Sequence, residues 1–422
     1  MNHPALSLLG RRTQSPAISW LMHTALARPK LISLAAGFTD NETLPVTASR
    51  NLILSVLGSA KIGQPALQYG TTVGEKNLRQ LTAERLQLLD RTNAQTHSAD
   101  RTMITSGSQQ LLYMTLEALC DTDDIVLVED PTYFVFLSIL QSRGIRARGI
   151  KLDRDGLDPV HLESVLESLK KSGDLPRVKA LYLVSYFQNP TGVTTSLEKK
   201  KKALAVLKKF EKAAGHTLYL LEDAAYRELR FAGDDVPSAL TLPGARDRVI
   251  YAGTYSKPFA PGARMGFGVL PEPVFTTVEY IKGNHDFGSA NLLQQLMVAA
   301  LDSGVYDRHV RVVQKNYRLK ADAMKKAMIN YFPAGVEVWE PTGGLYFWVR
   351  LPAGNPTGEK SKIFREALKQ NVLYVPGELC YAEDSARPIP RNDMRISFGG
   401  ASIKNIRTGI ARLGQVLKYR LR

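Results

Sequence analysis

Lys257 stands in the stretch GTYSKPFAPGARMGFG, residues 253–268, between two apolar runs, RVIYAG and MGFGVL, that read as buried strands. A lysine so placed is either a rim charge on a loop or an amine put to chemical use. Other chemically able residues follow the ends of apolar runs elsewhere in the chain. After TMIT (102–105) comes SGSQQLLYMTL, where Ser108 and Gln109 open a helix whose free N–H groups and dipole suit a phosphate; a plain serine cap is the structural alternative. After IVLVE (125–129) comes DPTYF, with Tyr133 on a loop where its ring could cover a planar ligand or simply pack. After ALYLVSY (180–186) comes FQNPTG, where Asn189 could present its amide to a ligand oxygen. NPTG recurs at 355–358 in the polar loop LPAGNPTGEKSK, without the strand, and reads there as a turn. Asp223 ends TLYLLED (217–223), where a carboxylate is costly to bury unless a cation or hydrogen bond meets it; capping the next helix is the bland alternative. Tyr226 lies three residues on. After RVIYAG come Thr254, Ser256 and Lys257, then Arg264.

These residues need a scaffold that gathers strand ends. The apolar runs named above alternate with helical stretches of about 10–15 residues, the signature of a mainly parallel sheet covered by helices. Ligands collect beyond the carboxyl ends of such strands, which is where the chemical residues fall. Helices are expected over 15–27 and 47–58, and after the Gly-rich LQYGTTVG. A long helical region is expected over 290–330. The C-terminal segment has its own strands, GLYFWVR and MRISFG, with helices at 361–369 and 402–418, and reads as a smaller α+β domain. The domain expectation is 1–45 as an N-terminal arm and part of the small domain, 46–305 as the large domain, and 306–422 as the small domain.

At 422 residues the chain exceeds one typical core. Two cysteines far apart, Cys120 and Cys380, suggest neither a disulfide framework nor a zinc site, and no metal is expected. The formal charge of +15 is spread along the chain. Its densest run, EKKKKALAVLKKFEKAAG, spaces Leu204, Leu207 and Phe210 as the buried stripe of a surface helix with a solvated basic face. No zinc-finger spacing or RNP-like motif points to nucleic acid. No run reaches the roughly 20 apolar residues of a membrane span, and the N-terminus lacks a signal-peptide pattern, so a cytoplasmic protein is expected.

The ordered set QNPTG … EDAAY … TYSKPFAPGARMG … MRISFG resembles the fold type I pyridoxal 5′-phosphate (PLP) enzymes, specifically the class I/II aminotransferases, over residues 15–418. The resemblance implies an α/β large domain with a mainly parallel seven-stranded sheet and helices on both faces, plus a smaller α+β domain. It implies that Lys257 joins the cofactor aldehyde as a Schiff base and later moves the proton between substrate Cα and the cofactor. Asp223 would pair with the pyridinium nitrogen, and Asn189 and Tyr226 with the ring oxygen. Tyr133 would stack on the ring. Ser108, Gln109, Thr254, Ser256 and Arg264 would hold the phosphate. Arg395, in MRISFG, would grip the substrate α-carboxylate, with Asn189 beside it and Gly37, in LAAGF, lining the substrate side. Tyr69, in LQYGTTVG, would reach the phosphate of a neighbouring subunit, implying a homodimer with composite active sites.

Within the class, the wording is most similar to the branch of 2-aminoadipate, kynurenine and aromatic aminotransferases. Some members carry an N-terminal-helix arginine for a distal carboxylate. Trp20 falls near that position, with Arg11, Arg12 and Arg28 close by, which favours apolar or aromatic substrates. Ala263 stands before Arg264 where a larger apolar residue is common. The expected activity is transfer of an amino group from an amino acid, apolar or aromatic or else aminoadipate-like, to a 2-oxo acid by ping-pong exchange. A PLP-dependent lyase or synthase, such as a carbon–sulfur β-lyase, is the alternative on the same residues. The effector domain of a DNA-binding regulator is a third reading, disfavoured because only about 15 residues precede the first matched helix.

Overall fold

The computed structural model describes residues 5–421; residues 1–4 and 422, at the outer ends of the expected domain spans, lie outside the described residues. In chain order the strands are β1 (Ile32–Ser33), β2 (Thr102–Thr105), β3 (Ile125–Asp130), β4 (Arg146–Asp153), β5 (Gly156–Leu157), β6 (Val178–Val184), β7 (Tyr219–Asp223), β8 (Val249–Thr254), β9 (Gly266–Val269), β10 (Glu337–Trp339), β11 (Tyr346–Arg350), β12 (Val372–Leu373), β13 (Val375–Pro376) and β14 (Asp393–Ser397). The main sheet runs β2-β9-β8-β7-β6-β3-β4-β5. Its centre, from β8 to β4, is parallel, while β9 lies antiparallel between β2 and β8. Strands β2, β8 and β9 are buried throughout, as expected of a sheet covered on both faces.

Seven strands of the main sheet, β2-β9-β8-β7-β6-β3-β4, form the expected mainly parallel seven-stranded sheet, and an eighth extends its edge. The additional strand, β5, is a two-residue antiparallel return on β4, too short to leave a periodic signal. Strand β4, RARGIKLD, was not among the apolar runs because it lies toward the sheet edge and exposes charged residues along part of its length. The long helical region divides into Asn291–Asp302 and Val305–Tyr331 at Gly304, whose φ of +66° suits a residue without Cβ.

The helix Leu197–Ala214 buries Leu204, Leu207 and Phe210 as expected, and Gly215 ends it in the left-handed region. One of its lysines departs from the solvated basic face. Lys200 is fully buried, and its ammonium pairs with Glu222 of β7 at 2.8 Å and donates to Pro237 O at 3.0 Å.

A second sheet, β10-β11-β14-β13, is antiparallel, and β1 pairs in parallel with β12. The segment after β1 is stitched into this body: Ser397 N donates to Leu34 O at 2.7 Å, and Leu34 N to Leu373 O. The helix Val305–Tyr331 packs along Ile403–Arg420. Strand ends of the main sheet thus face β14 and the segment after β1.

Candidate active site

A cavity of about 230 Å³ lies where the carboxyl ends of β6, β7 and β8 meet β11, β14 and the segment after β1. It is lined by Gly37, Ser108, Gln109, Tyr133, Asn189, Asp223, Tyr226, Thr254, Ser256, Lys257, Arg264 and Arg395 among others. Residues nominated from separate strand ends therefore share one space.

At one end, hydrogen-bond donors converge. Gly107 has φ +78°, and a Cβ there would come within 2.7 Å of Arg264 Nη2; a Cβ on Gly266 would sit 2.4 Å from Ser108 N. The helix Ser108–Leu119 starts with no side-chain cap, leaving its first N–H groups toward the cavity. Ser256 Oγ is buried with no hydrogen-bond partner, and its N–H is taken by Thr254 Oγ1 at 3.1 Å. Thr254 Oγ1 itself donates to Met265 O at 3.0 Å. Arg264 adopts left-handed backbone, φ +50°, and donates to Pro261 O. A guanidinium, an orphan hydroxyl and a helix N-terminus walled by two glycines make a cradle for a phosphate dianion.

In the middle, Asp223 ends β7 almost wholly buried. Its carboxylate accepts from Tyr182 OH at 2.9 Å and from Ala225 N at 3.0 Å. Burial outweighs these bonds and pushes its carboxyl up to about 6. A cationic ring nitrogen would suit that buried charge. Asn189 Nδ2 donates to Tyr226 OH at 3.4 Å, and Tyr226 OH lies 3.0 Å from Tyr346 OH. Burial, then the neighbouring tyrosines, holds the Tyr226 phenol well above its ordinary range, so it remains a neutral donor.

Lys257 donates to Gly37 O at 2.9 Å. Burial, then the positive charges of Arg395 and Arg264, pulls its amine down to about 8. Arg395, fully buried on β14, donates to Asn189 Oδ1 at 2.7 Å and Ala35 O at 2.6 Å, with its guanidinium 4.3 Å from the Tyr346 ring centre. Both partners are neutral oxygens, so its charge remains open to a carboxylate. Gly37 leaves room for Tyr346: a Cβ there would stand 2.5 Å from the Tyr346 hydroxyl.

Residues 29–413 match the family described as aminotransferase class I and II. The chain belongs to that family. This aminotransferase is 34% identical, over 93% of its length and 89% of the relative's, to an aromatic-amino-acid aminotransferase of Thermococcus litoralis. It is 32% identical to a 2-aminoadipate transaminase of Thermus thermophilus over 93% and 91% of the two chains. Among solved structures it is similar to the kynurenine aminotransferase of Pyrococcus horikoshii in complex with PMP, at TM-score 0.90 and 31% identity, covering 99% of this chain and 98% of that one. The cofactor of the aminotransferase is PLP, and the phosphate cradle, the buried Asp223 and the amine of Lys257 fit it. Its fold is the PLP fold type I.

Two nominated residues stand apart. Trp20 packs against Phe364 with ring centres 5.8 Å apart and is not among the residues lining the cavity. The next residue of its helix, Leu21, instead joins Ala25, Leu26, Ala35 and Phe38 around a smaller apolar pocket of about 140 Å³. One helical step turns a side chain by about 100°, enough to exchange the two. Of the neighbouring arginines, Arg12 holds Thr122 and the Arg143 carbonyl, Arg11 bonds Leu6 O, and Arg28 is exposed. Tyr69 is 82% exposed, edge-on to Phe287, which is exposed as well. Residues not foreseen are Tyr182, Tyr346, Phe134 and Phe38. All but Tyr182 line the main cavity. Within strands or apolar runs, aromatics of this kind carry no signal that separates them from core.

Proposed function

We propose that the aminotransferase takes an amino donor with a large apolar or aromatic side chain in preference to aspartate or 2-aminoadipate. The observation that carries this is the apolar pocket of Leu21, Ala25, Leu26 and Phe38: Phe38 lines both it and the main cavity. The arginines lining the main cavity, among the described residues, are Arg264 and Arg395, one for each anion that cofactor and α-carboxylate bring. Relatives named for aromatic amino acids and for kynurenine agree with an aromatic donor, and the relative named for 2-aminoadipate makes that dicarboxylate the competitor to test.

Bound PLP supplies an aldehyde that condenses with amines and a ring that draws electrons from the carbon so attached. The residues of the chain do the rest. Ser108, Gln109, Thr254, Ser256 and Arg264 hold the phosphate, Tyr133 covers the ring, and Asp223 keeps the ring nitrogen protonated. Asn189 and Tyr226 hold the ring oxygen. Arg395 binds the α-carboxylate in a planar two-point grip and so orients Cα. Lys257, with its lowered amine, takes and returns the proton at Cα.

The reading extends to a homodimer in the cytoplasm. Tyr69 serves the partner's phosphate, supported by its exposure and by exposed Val46, Leu54, Ile62 and Leu67 on neighbouring helices. Residues 46–305 form the cofactor-binding domain, and, among the described residues, 5–45 with 306–421 the smaller one. Among the described residues no helix is long and apolar enough to cross a membrane.

The test is a donor panel against 2-oxoglutarate and pyruvate. Aromatic and large aliphatic donors are expected to lead in kcat/KM, and Leu21→Arg to raise activity on dicarboxylates. A wild type that prefers 2-aminoadipate overturns the assignment.

A further inference from the structure

Behind the cavity wall lies a carboxylate that the preceding roles do not use. Glu129, near the end of β3, is fully buried, and among the described residues no cation pairs with it. Its Oε2 accepts from Val184 N at 2.9 Å and from Gln188 Nε2 at 2.6 Å. The second Gln188 amide hydrogen goes to Pro131 O at 3.1 Å, and Gln188 Oε1 accepts from Thr191 Oγ1 at 2.5 Å. The backbone of Gln188 is tied as well: its N–H donates to Val193 O and its carbonyl accepts from Gly192 N.

Gln188 is therefore fully engaged in one orientation, with its amide aimed at the β3 end. It precedes Asn189, which meets Tyr226 and Arg395; Glu129 and Pro131 precede Tyr133. We propose that Glu129 and Gln188 form a positioning pair that fixes the Asn189 amide relative to the Tyr133 ring across the cofactor cleft. The inference rests on the PLP site described above.

The chemistry of the pair explains its residue types. Among uncharged side chains, only a primary amide offers two donors to two acceptors from one nitrogen. Burial, against the hydrogen bonds from Gln188 and Val184, pushes the Glu129 carboxyl up to about 8, with the charge of Asp223 adding to the rise. The Thr195 hydroxyl and the Tyr182 phenol face it as well, the former beside an Oε1 that accepts no bond of good geometry. A proton on Oε1 satisfies both facts and leaves Asp223 as the anion of these two carboxyl groups. Glu129 then serves as a neutral acceptor on Oε2, a role that the glutamine amide oxygen can copy.

The experiment titrates apoproteins with PLP and reads the dissociation constant, the circular dichroism of the bound cofactor band, and the melting temperature of the apoprotein. Glu129→Leu and Gln188→Leu are each expected to weaken PLP binding about tenfold, the size of a buried hydrogen bond lost, and to alter the cofactor dichroism. Glu129→Gln should restore both to within about twofold, because the amide oxygen keeps the two acceptor bonds. The double leucine variant should bind no worse than the worse single one, since coupled residues are non-additive. With amino acid present, KM should rise more than kcat falls, because Arg395 leans on Asn189. Should the leucine variants fail to fold, Thr191→Val frees Gln188 Oε1 and is expected to cost about threefold with the same dichroic change. Variants that lose melting temperature yet match wild type in affinity and dichroism, or single losses that multiply in the double variant, overturn the pair. Wild type failing to bind PLP sinks the active-site reading and the pair with it. Wild type binding normally while Glu129→Leu matches it sinks the pair alone.

Discussion

At Lys257, burial and the nearby guanidinium groups of Arg395 and Arg264 lower the cost of the neutral amine, which an ordinary lysine near pKa 10.4 does not offer at neutral pH. The lowered value sets a pH dependence with a definite sign. With the amine pulled down to about 8, its neutral fraction rises with pH through that value and levels above it. The rate at which apoprotein takes up PLP should therefore climb between pH 7 and 9 and then flatten, as read by stopped-flow absorbance; a rate still climbing tenfold per unit at pH 10 would contradict it. Lys257→Ala should still bind PLP through the cradle and Asp223 but lose at least the roughly 10²–10⁴-fold in turnover that removal of a general base costs, and a small added amine should return part of it. Arg395→Lys should reduce kcat/KM for every amino acid alike, by about 2–5 kcal/mol. An ammonium cannot keep both the Asn189 and Ala35 bonds and a two-point grip on a carboxylate. A donor-dependent loss would move the clamp to another residue.

At the scale of elements, Asp90 ties three of them behind the cofactor wall. It ends the helix Lys76–Asp90, accepts from Arg227 of the turn after Tyr226 at 2.6 Å, and accepts from Ser238 N and Oγ. His97 Nε2 lies 2.7 Å from it. Burial alone would raise its carboxyl, but His97, Arg227 and Ser238 hold it well below the ordinary range. A folded value below the unfolded one means that its stabilisation is present above about pH 4 and fades as pH falls further. Asp90→Asn should cost about 3–5 kcal/mol at pH 7, the penalty for breaking a buried pair. It should then lose less than wild type between pH 4 and 2 in urea unfolding.

Elements also decide what the sequence made legible. Strand ends announce themselves, because Asp223, Lys257 and Asn189 break apolar runs that otherwise read as core. Trp20 and Leu21 could not be told apart, since helical phase depends on what the helix leans on, and Phe364 lies more than 300 residues away. Lys200 looked solvated because its partner Glu222 comes from a different element. Tyr346 and Tyr182 were invisible as site residues, being aromatics inside strands where packing alone accounts for them.

For the whole molecule, the exposed Tyr69–Phe287 pair predicts that assembly and cofactor retention are linked. Tyr69→Phe should weaken PLP retention without abolishing turnover, and dilution that splits the proposed dimer should release the cofactor; an active monomer by light scattering would refute the link. A last consequence concerns synthesis. The guanidinium of Arg395 rests on the carbonyl of Ala35, 360 residues earlier. At about 5–20 residues per second, a ribosome takes roughly 20–70 s to deliver the second after the first. Through that interval the early segment has no partner on β12 or β14, so the active site cannot be completed before β14 is made. Ribosome-stalled chains ending before β14 should lack the carboxylate grip of Arg395 and turn over no amino acid, and their β1 region should be a favoured station for chaperones.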